Sequence, residues 1–354
     1  MHYVIVGAGA IGGTIGARLF QQGHRVTLVA RGGQVDAVGE RGLRFVTPEG
    51  EQQLPIPVLA APTTAGEVEL EPESVLVLAV KSQDTAAALA IWADMPVRGG
   101  GTAATRLPLI CAQNGIANEP AALRFFSQVY AACVWLPATY LEPGTVAAES
   151  LPYTGMLQLG RYPYGVDQTV RQVAADFSAA RLMTVAREDA MRWKRGKLLG
   201  NLGNGVQALF AAADRDLYRR VRAEGTAVFD AAGLPYTSQE EEVAQRGDLV
   251  RVQPVAGHQR VGSSTAQSLA RGTSAEVDYL NGEVVQLGRC HAVATPVNLA
   301  VQLAVRQAVR RRIGPGQFPV DDFRALLDQL QAGTQEGGAG TGGIVDQPRA
   351  RSSS

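Results

Sequence analysis

A glycine-rich turn near the start of the chain has the residue spacing of a dinucleotide-binding site. The G-x-G-x-x-G pattern is met by Gly7-Ala8-Gly9-Ala10-Ile11-Gly12, directly after a short apolar run. In such a turn the first glycine permits the tight bend, the second lets the backbone approach a pyrophosphate, and the third allows close packing of helix on strand. The free N–H groups of the following helix then bind phosphate charge. The segment is therefore predicted to bind a dinucleotide.

The residue after the second predicted strand indicates which dinucleotide is bound. That strand runs directly into Arg31 and then into Gly32-Gly33, where an NAD-binding unit has an acidic residue for the ribose 2′-hydroxyl. A planar, permanently charged guanidinium suits the 2′-phosphate of NADP instead. The alternative is that Arg31 is a solvated loop charge. The position favours NADPH as the cofactor.

The elements that must position these residues alternate between apolar strands and helical stretches through the first half of the chain. Strands are predicted at residues 2–6, 25–30, 75–80 and 107–112, with helical composition between them. Such alternation is typical of a parallel sheet that is covered on both faces. We therefore predict an α/β fold whose N-terminal part, residues 1–186, is a Rossmann-type doubly wound sheet that binds NADP.

The second half of the chain has a helical periodicity. Helices are predicted over residues 190–211, 217–232, 275–287 and 298–312. This pattern predicts a C-terminal all-helical domain at residues 187–332, which would serve substrate binding and dimerisation. From Gly333 onward the chain is mostly Gly, Ser, Thr and Gln, so residues 333–354 are predicted to form a disordered tail.

Composition and charge narrow the classes of partner. The 354 residues include 33 Lys and Arg and 33 Asp and Glu, a balance that argues against a nucleic-acid binder. No apolar run is long enough for a transmembrane helix, and the N-terminus lacks a secretion signal. The three cysteines and four histidines show no metal-ligand spacing. We therefore expect a cytoplasmic protein with no metal, no nucleic acid and no membrane among its partners.

Further motifs extend over most of the chain. After the glycine turn and Arg31 they are VKSQD at 80–84, QNG at 113–115, KLLGN at 197–201, SSTAQSLARG at 263–272 and EVDYLNG at 276–282. In these motifs and their order the chain resembles the ketopantoate reductase (2-dehydropantoate 2-reductase) family, from Met1 to about Arg312. The resemblance implies a Rossmann domain joined to a helical domain, with an active site between them that reduces ketopantoate to pantoate with NADPH.

The resemblance also implies roles for individual residues. Lys197 matches the family's catalytic lysine, Glu276 its substrate-binding acid, and Ser264 a serine that contacts the substrate carboxylate. Lys81 and Asn114 match residues that line the nicotinamide side of the cleft, and Asn114 is also expected to contact substrate. Both follow predicted strands, where open α/β sheets bind their ligands.

The chemistry expected of Lys197 follows from the charge that hydride transfer creates. Hydride arriving at a keto carbon leaves negative charge on the oxygen, and a lysine can supply both a positive charge and a proton. Asn201 lies one turn later on the same helix face and can hydrogen-bond either the ammonium group or the substrate oxygen. Glu276 can hold a substrate hydroxyl or orient the lysine, and the resemblance favours the first role.

Two positions near the lysine depart from the family pattern. The family's tryptophan lies two residues before the lysine, whereas Trp193 lies four before Lys197, which makes Lys194 an alternative catalytic residue. The family's second asparagine is expected eight residues after the lysine, where Gly205 stands. Either Asn204 substitutes for it through a local distortion of the helix, or this part of the substrate pocket has changed.

The function expected from the sequence is NADPH-dependent reduction of ketopantoate in pantothenate and coenzyme A biosynthesis, with Lys197 as general acid. One alternative is a paralogous NADPH-dependent reductase of another 2-oxo acid or carbonyl compound. Another is a non-catalytic NADPH-binding sensor. The apolar surface expected on the helical half could support a homodimer.

Overall fold

The computed structural model describes residues 1–210, 214–258 and 262–338, which contain fourteen strands and fourteen α-helices. The strands are β1 (His2–Val6), β2 (Arg25–Ala30), β3 (Leu43–Thr47), β4 (Gly50–Leu54), β5 (Val58–Ala60), β6 (Ser74–Leu78), β7 (Leu109–Cys111), β8 (Val129–Trp135), β9 (Ala138–Glu142), β10 (Thr145–Ala148), β11 (Ser150–Pro152), β12 (Gly155–Arg161), β13 (Leu182–Ala186) and β14 (Val250–Val252).

The helices are α1 (Ala10–Gln21), α2 (Gly33–Arg41), α3 (Thr85–Trp92), α4 (Ala103–Arg106), α5 (Asn118–Leu123), α6 (Gln168–Ala179), α7 (Ala190–Asn201), α8 (Gly203–Leu209), α9 (Arg215–Ala231), α10 (Gln239–Arg246), α11 (Ser264–Ala270), α12 (Asn281–Cys290), α13 (Pro296–Arg311) and α14 (Val320–Gly338). Two short 3₁₀ turns add Ser82–Asp84 and Val277–Tyr279.

Eight strands form the main sheet in the order β13-β12-β8-β7-β6-β1-β2-β5. Neighbouring strands from β5 to β8 are all parallel, and their sequence of positions is the 3-2-1-4-5-6 order of a Rossmann sheet. β12 then pairs antiparallel with β8, and β13 pairs parallel with β12. The predicted Rossmann-type sheet is therefore confirmed, with two further strands at one edge.

The sequence of β1 shows why this sheet is covered on both faces. Successive side chains of a strand point to opposite faces, and all of Tyr3, Val4, Ile5 and Val6 are buried. Tyr3 and Ile5 pack into a core with α1 and α6, whereas Val4 and Val6 pack into a second core with α3 and α5. A strand that buries both faces can lie only in the middle of three layers, which leaves the strand ends free for ligands.

A second sheet lies beside α1, with the order β4-β3-β10-β9. Gly13 of α1 permits this contact, because a Cβ at that position would lie 3.0 Å from Val146 Cγ1 of β10. α1 packs against all four strands of this sheet, which therefore supports the first helix of the glycine turn.

The C-terminal part of the chain is built from α7 to α14 around a separate apolar core. β13 ends at Ala186 and α7 begins at Ala190. The predicted boundary at 186–187 lies between these two elements, where the main sheet gives way to helices. The prediction of an all-helical C-terminal part was wrong in one place, because β14 pairs antiparallel with β11. That pairing joins Val252 to Ser150, which lie far apart in the sequence. The periodicity of a local segment cannot predict a partner at such a distance.

The end of the chain also differs from the expectation. Helix α14 continues to Gly338, so the first residues of the predicted disordered tail at 333–354 are helical. Once a helix has nucleated on packed side chains such as Phe323 and Leu327, each further residue adds a hydrogen bond at little cost. Residues 339–354 of the predicted tail lie outside the described residues.

Candidate active site

A cleft of about 610 Å³ runs along the carboxyl ends of β1, β6, β7 and β8 and is closed on its other side by the helical half. Open α/β sheets bind their ligands at this edge. Ten predicted site residues line the cleft, namely Gly9, Ala10, Ile11, Lys81, Asn114, Lys197, Asn201, Asn204, Ser264 and Glu276. Gly7, Ala8 and Gly12 lie in the turn behind it.

The geometry of the glycine turn fits a bound pyrophosphate. Gly7 has a φ of +109°, and a Cβ there would lie 2.7 Å from the backbone nitrogen of Val80. A Cβ at Gly12 would lie 2.0 Å from the carbonyl oxygen of Gly7. Nothing lies within 4 Å of a Cβ built at Gly9, the residue before α1. The fold therefore needs the first and third glycines, whereas the second leaves open space at a helix N-terminus, as phosphate binding requires.

Arg31 lies at the end of β2, beside the glycine turn but outside the lining of the cleft. Its side chain is 70% exposed, and its guanidinium pairs at 3.0 Å with Asp84, which follows β6. An exposed ion pair of this kind contributes little to stability and exchanges readily. The arginine is thus held near the end of β2 and remains available to another anion.

Lys197 projects from α7 into the cleft and contacts the ends of two strands. Its Nζ donates to Asn114 Oδ1 at 2.7 Å and to the carbonyl oxygen of Val134. Asn114 follows β7, and Val134 belongs to β8. Burial lowers the pKa of the Lys197 ammonium group below its usual 10.5, because desolvation disfavours the charged form. An ammonium group with a lowered pKa gives up its proton more readily than an exposed lysine does.

The alternative lysine, Lys194, does not line the cleft. Its Nζ pairs with the carboxylate of Glu119, and the two side chains are 2% and 0% exposed. The same ammonium group donates to the carbonyl oxygen of Gln113 at 2.9 Å. Lys194 therefore lies under the loop that carries Asn114 and anchors it, while Lys197 contacts Asn114 from the cleft.

The register of α7 and α8 explains the displaced asparagine. α7 ends at Asn201, α8 begins at Gly203, and both Asn201 and Asn204 line the cleft. Gly205 faces the helical core instead, where a Cβ would lie 2.5 Å from Val301 Cγ1. Leu202, between the two helices, keeps helical backbone angles (φ −58°, ψ −29°), and Asn204 follows Lys197 by about two turns. Asn204 therefore faces the cleft without the local distortion of the helix that one sequence-based alternative assumed. Among the described contacts, Asn201 makes no hydrogen bond to Lys197. The ammonium group donates to the side-chain oxygen of Asn114 instead.

Glu276 joins the two halves of the molecule across the cleft. Its Oε1 accepts hydrogen bonds from the backbone nitrogen and from the hydroxyl of Ser82, both at 2.9 Å. Glu276 precedes the 3₁₀ turn before α12, whereas Ser82 follows β6. The carboxylate therefore contacts the nucleotide-binding half and not Lys197, which does not support the alternative that it orients the lysine.

Lys81 also spans the cleft. Its Nζ donates to Ser268 Oγ at 3.3 Å and to the carbonyl oxygen of Ser274. Burial lowers the pKa of this lysine as well. Ser264 begins α11, four residues before Ser268, and faces the same cleft. The loop after β6 thus meets α11 and the segment after it, which closes one side of the cleft.

Several residues that line the cleft were not predicted from the sequence. Arg246, at the end of α10, and Arg271, after α11, bring the cleft to four cationic side chains with Lys81 and Lys197, against the single lining carboxylate of Glu276. Arg271 belongs to the quoted SSTAQSLARG motif and could have been found there. Arg246 is the last residue of the polar stretch QEEEVAQR, whose composition is typical of a solvent-exposed helix, so no sequence feature assigned it to a site. The excess of positive charge suits an anionic cofactor together with an anionic substrate.

Two other classes of site were sought in the described residues. They contain no group of His, Cys, Asp and Glu side chains that could hold a metal ion. None of their helices combines the length and the apolar character needed to cross a membrane.

Comparison with known proteins shows the family to which the chain belongs. The family model described as ketopantoate reductase PanE/ApbA matches residues 3–163, and the model of its C-terminal part matches residues 189–309. A 2-dehydropantoate 2-reductase from Halobacterium salinarum is 29% identical over 326 residues, which are 88% of this chain and 99% of that protein.

Solved structures give the same result. The chain is similar to a PanE/ApbA family ketopantoate reductase from Ralstonia eutropha, with a TM-score of 0.69 and 26% identity over 88% of this chain and 99% of that one. D-mandelate dehydrogenase, solved with NADH and anilino(oxo)acetate, shares the fold with a TM-score of 0.73 and 19% identity over 89% and 100% of the two chains. Together with the family models, these matches show that the chain is an oxidoreductase of the ketopantoate reductase family, which depends on pyridine nucleotides.

Proposed function

We propose that this protein reduces ketopantoate to pantoate with NADPH as the hydride donor. The observation that carries the proposal is the position of Lys197, whose ammonium group lies against Asn114 in the same cleft as the glycine turn. The relatives named 2-dehydropantoate 2-reductase support this substrate.

The roles of the lining residues follow from the charge that the reaction creates. NADPH, when bound, supplies the hydride. Lys197 stabilises the negative charge that develops on the keto oxygen and donates the proton that completes the alcohol. Asn114 holds the ammonium group in place through its side-chain oxygen. Asn201 and Asn204 offer amide groups, and Ser264 offers a hydroxyl, for the polar groups of the substrate. Glu276 would release its hydrogen bonds from Ser82 and accept a hydrogen bond from the substrate hydroxyl instead.

Arg31 is the basis for proposing NADPH rather than NADH. Among the described residues, the guanidinium at the end of β2 pairs with the partly exposed carboxylate of Asp84. A 2′-phosphate carries more charge than that carboxylate and accepts hydrogen bonds from the same planar donors, so it would displace Asp84 from the arginine.

We expect Arg31→Ala to weaken the binding of NADPH and to leave the binding of NADH unchanged, because only NADPH carries the 2′-phosphate. Equal effects on the two affinities would show that Arg31 does not bind the 2′-phosphate.

The decisive experiment follows NADPH oxidation by absorbance with ketopantoate and with a panel of other 2-oxo acids. Fast oxidation with ketopantoate and slow oxidation with the rest is the expected result. A preference for another 2-oxo acid would identify a paralogous reductase. Binding of NADPH without oxidation by any substrate would identify a sensor, although a sensor has no need of Lys197 and Glu276 in its cleft.

Three further expectations accompany the proposed reaction. The product would serve pantothenate and coenzyme A biosynthesis, and the enzyme would act in the cytoplasm. A homodimer formed through the helical half stays a prediction, which light scattering of the purified protein would test.

A further inference from the structure

The segment from α10 to β14 forms one wall of the cleft and is attached to both halves of the molecule. β14 pairs with β11 of the nucleotide-binding half, and α10 packs against α7 of the helical half. The second contact is close, because a Cβ at Gly196 would lie 2.5 Å from Glu242 Oε1 of α10. Gly196 directly precedes Lys197, so α10 is fixed next to the lysine that the proposed reaction uses.

Arg246 lies one turn after Glu242 on α10 and lines the cleft. Its guanidinium carbon is 5.6 Å from the ring centroid of Trp135, within the range of a cation–π contact. Trp135 packs edge-to-face on Trp193 at 5.8 Å. Trp193 is one turn before Lys197 on the same face of α7. The two tryptophans therefore connect Arg246 to the neighbourhood of the lysine.

The guanidinium of Arg246 has no hydrogen-bonding or carboxylate partner among the contacts of the described residues. Glu242, the nearest acid on the same helix, accepts a hydrogen bond from Thr237 instead. Arg187, which stacks on the other tryptophan, contrasts with it, since its guanidinium donates to Gln158 at 2.8 Å and to Gln245. Arg187 is thus a structural residue, whereas Arg246 lines the cleft with no such hydrogen bond among the described residues.

The other cations of the cleft already have partners. Lys81 is bonded to Ser268 and Ser274, Arg271 donates to the carbonyl oxygen of Tyr140, and Lys197 is assigned to the keto oxygen. A hydroxyl such as that of Ser264 can donate a hydrogen bond but supplies no charge. A substrate carboxylate that leaves water needs a compensating cation, and a planar guanidinium matches it with two parallel hydrogen bonds.

We propose that Arg246, held on the face of Trp135, binds the carboxylate of the substrate and makes the cleft selective for 2-oxo acids over neutral carbonyl compounds. This inference rests on the proposed function, which supplies the acid that is bound. It assigns to α10 a specificity-determining residue for that reaction.

The test compares Arg246→Gln and Arg246→Lys with the wild type on ketopantoate and on its neutral amide. Charge-assisted hydrogen bonds of this type correspond to about 10- to 100-fold in affinity, so Arg246→Gln should raise KM for the acid by that factor. Its KM for the amide should stay unchanged. Arg246→Lys keeps the charge but loses the second hydrogen bond, and it should give an intermediate KM. Unaltered NADPH binding would establish that each variant is folded.

Arg251→Gln is the matched control. Arg251 lies in β14 of the same segment, but it is 57% exposed and paired with Asp248. Its replacement should leave both KM values unchanged. The inference is overturned if Arg246→Gln leaves KM for the acid within about twofold of wild type, or if it raises KM for acid and amide equally.

The design separates this inference from the proposed function. Turnover of ketopantoate by the wild type tests the function alone. If the wild type turns over none of the 2-oxo acids, calorimetric titration of the same acids into wild type and Arg246→Gln decides the matter. Weaker binding of any acid to the variant supports the carboxylate site, whereas equal binding, or no binding to the wild type, overturns it.

Discussion

Lys197 keeps its ammonium group in a place from which most water is excluded. The oxygens of Asn114 and Val134 replace two of the water molecules that would otherwise solvate it. Both partners are neutral, so they orient the group without raising its pKa as a carboxylate would. A charged partner would also have competed with the developing negative charge of the substrate. The neutral partners therefore leave the positive charge free for the reaction.

Replacement of Lys197 tests the proposed general acid directly. Lys197→Ala should lower turnover by about 100-fold or more, because both the proton and the positive charge are lost. NADPH affinity, measured by calorimetry, should stay close to the wild-type value, since the glycine turn is untouched. Unchanged turnover would show that Lys197 is not the acid.

The pH dependence of turnover should reflect the lowered pKa of Lys197. The acid must be protonated, so the rate falls as pH rises through that pKa, which lies below the usual 10.5. Asn114→Asp places a carboxylate against the ammonium group, favours its charged form and should move this alkaline limb to higher pH by about one unit or more. Asn114→Ala, which adds no charge, should not move it upward. An identical alkaline limb in wild type and Asn114→Asp would contradict the assignment.

Among the elements, the register of α7 and α8 has the clearest effect on the site. Seven residues make about two helical turns, so Asn204 faces the cleft together with Lys197. Gly205, one residue later, packs against Val301 of α13. The absence of a side chain at 205 therefore serves the packing of two helices.

A pair of glycine substitutions tests this packing. Gly205→Ala would place its Cβ 2.5 Å from Val301 Cγ1, and we expect it to lower the free energy of unfolding by about 1–3 kcal/mol. Gly200→Ala in α7 is the matched control, since nothing lies within 4 Å of its Cβ. It should raise stability by about 0.5–1 kcal/mol through the helix preference of alanine. Urea denaturation measures both, and equal effects of the two would disprove tight packing at 205.

Local patterns predicted the elements that repeat a simple period, but not those fixed by distant contacts. The Rossmann strands and the glycine turn follow from apolar runs and spacing, and the motifs around Lys197 marked most of the cleft. The partner of β14 lies about a hundred residues earlier, and the contact of Ser82 with Glu276 spans 194 positions. Arg246 was missed because an arginine at the end of a polar helix has no sequence feature that distinguishes it from a solvated one.

At the scale of the whole molecule, the cleft exists because two separately packed halves meet across it. Ser82 and Glu276 make one of the contacts between them, and Gln83 adds a hydrogen bond to Ser274 at 2.8 Å. Residues of both halves line the cleft, so a ligand that fills it touches both halves at once.

Removal of the Glu276 carboxylate should weaken this junction. Glu276→Ala would leave the buried N–H of Ser82 without its acceptor and the Ser82 hydroxyl with only the longer bond to the Asn114 carbonyl oxygen, at a cost of about 1–3 kcal/mol in the free energy of unfolding. Glu276→Gln retains an acceptor oxygen and should cost less. Chemical denaturation of both variants gives the comparison. Wild-type stability of Glu276→Ala would mean that this contact does not hold the halves together.

The tryptophan pair beside Arg246 has a further consequence. Of the three tryptophans in the chain, Trp135 lines the cleft and Trp193 packs directly on it, whereas Trp92 is buried in another core. Two of the three tryptophans therefore lie at or directly behind the ligand site. A reduced nicotinamide absorbs light in the range where tryptophan emits, so a reduced cofactor bound in the cleft would be expected to quench the emission of Trp135. Intrinsic tryptophan fluorescence would therefore report cofactor binding, and Trp92→Phe would remove the contribution of the tryptophan that lies away from the cleft.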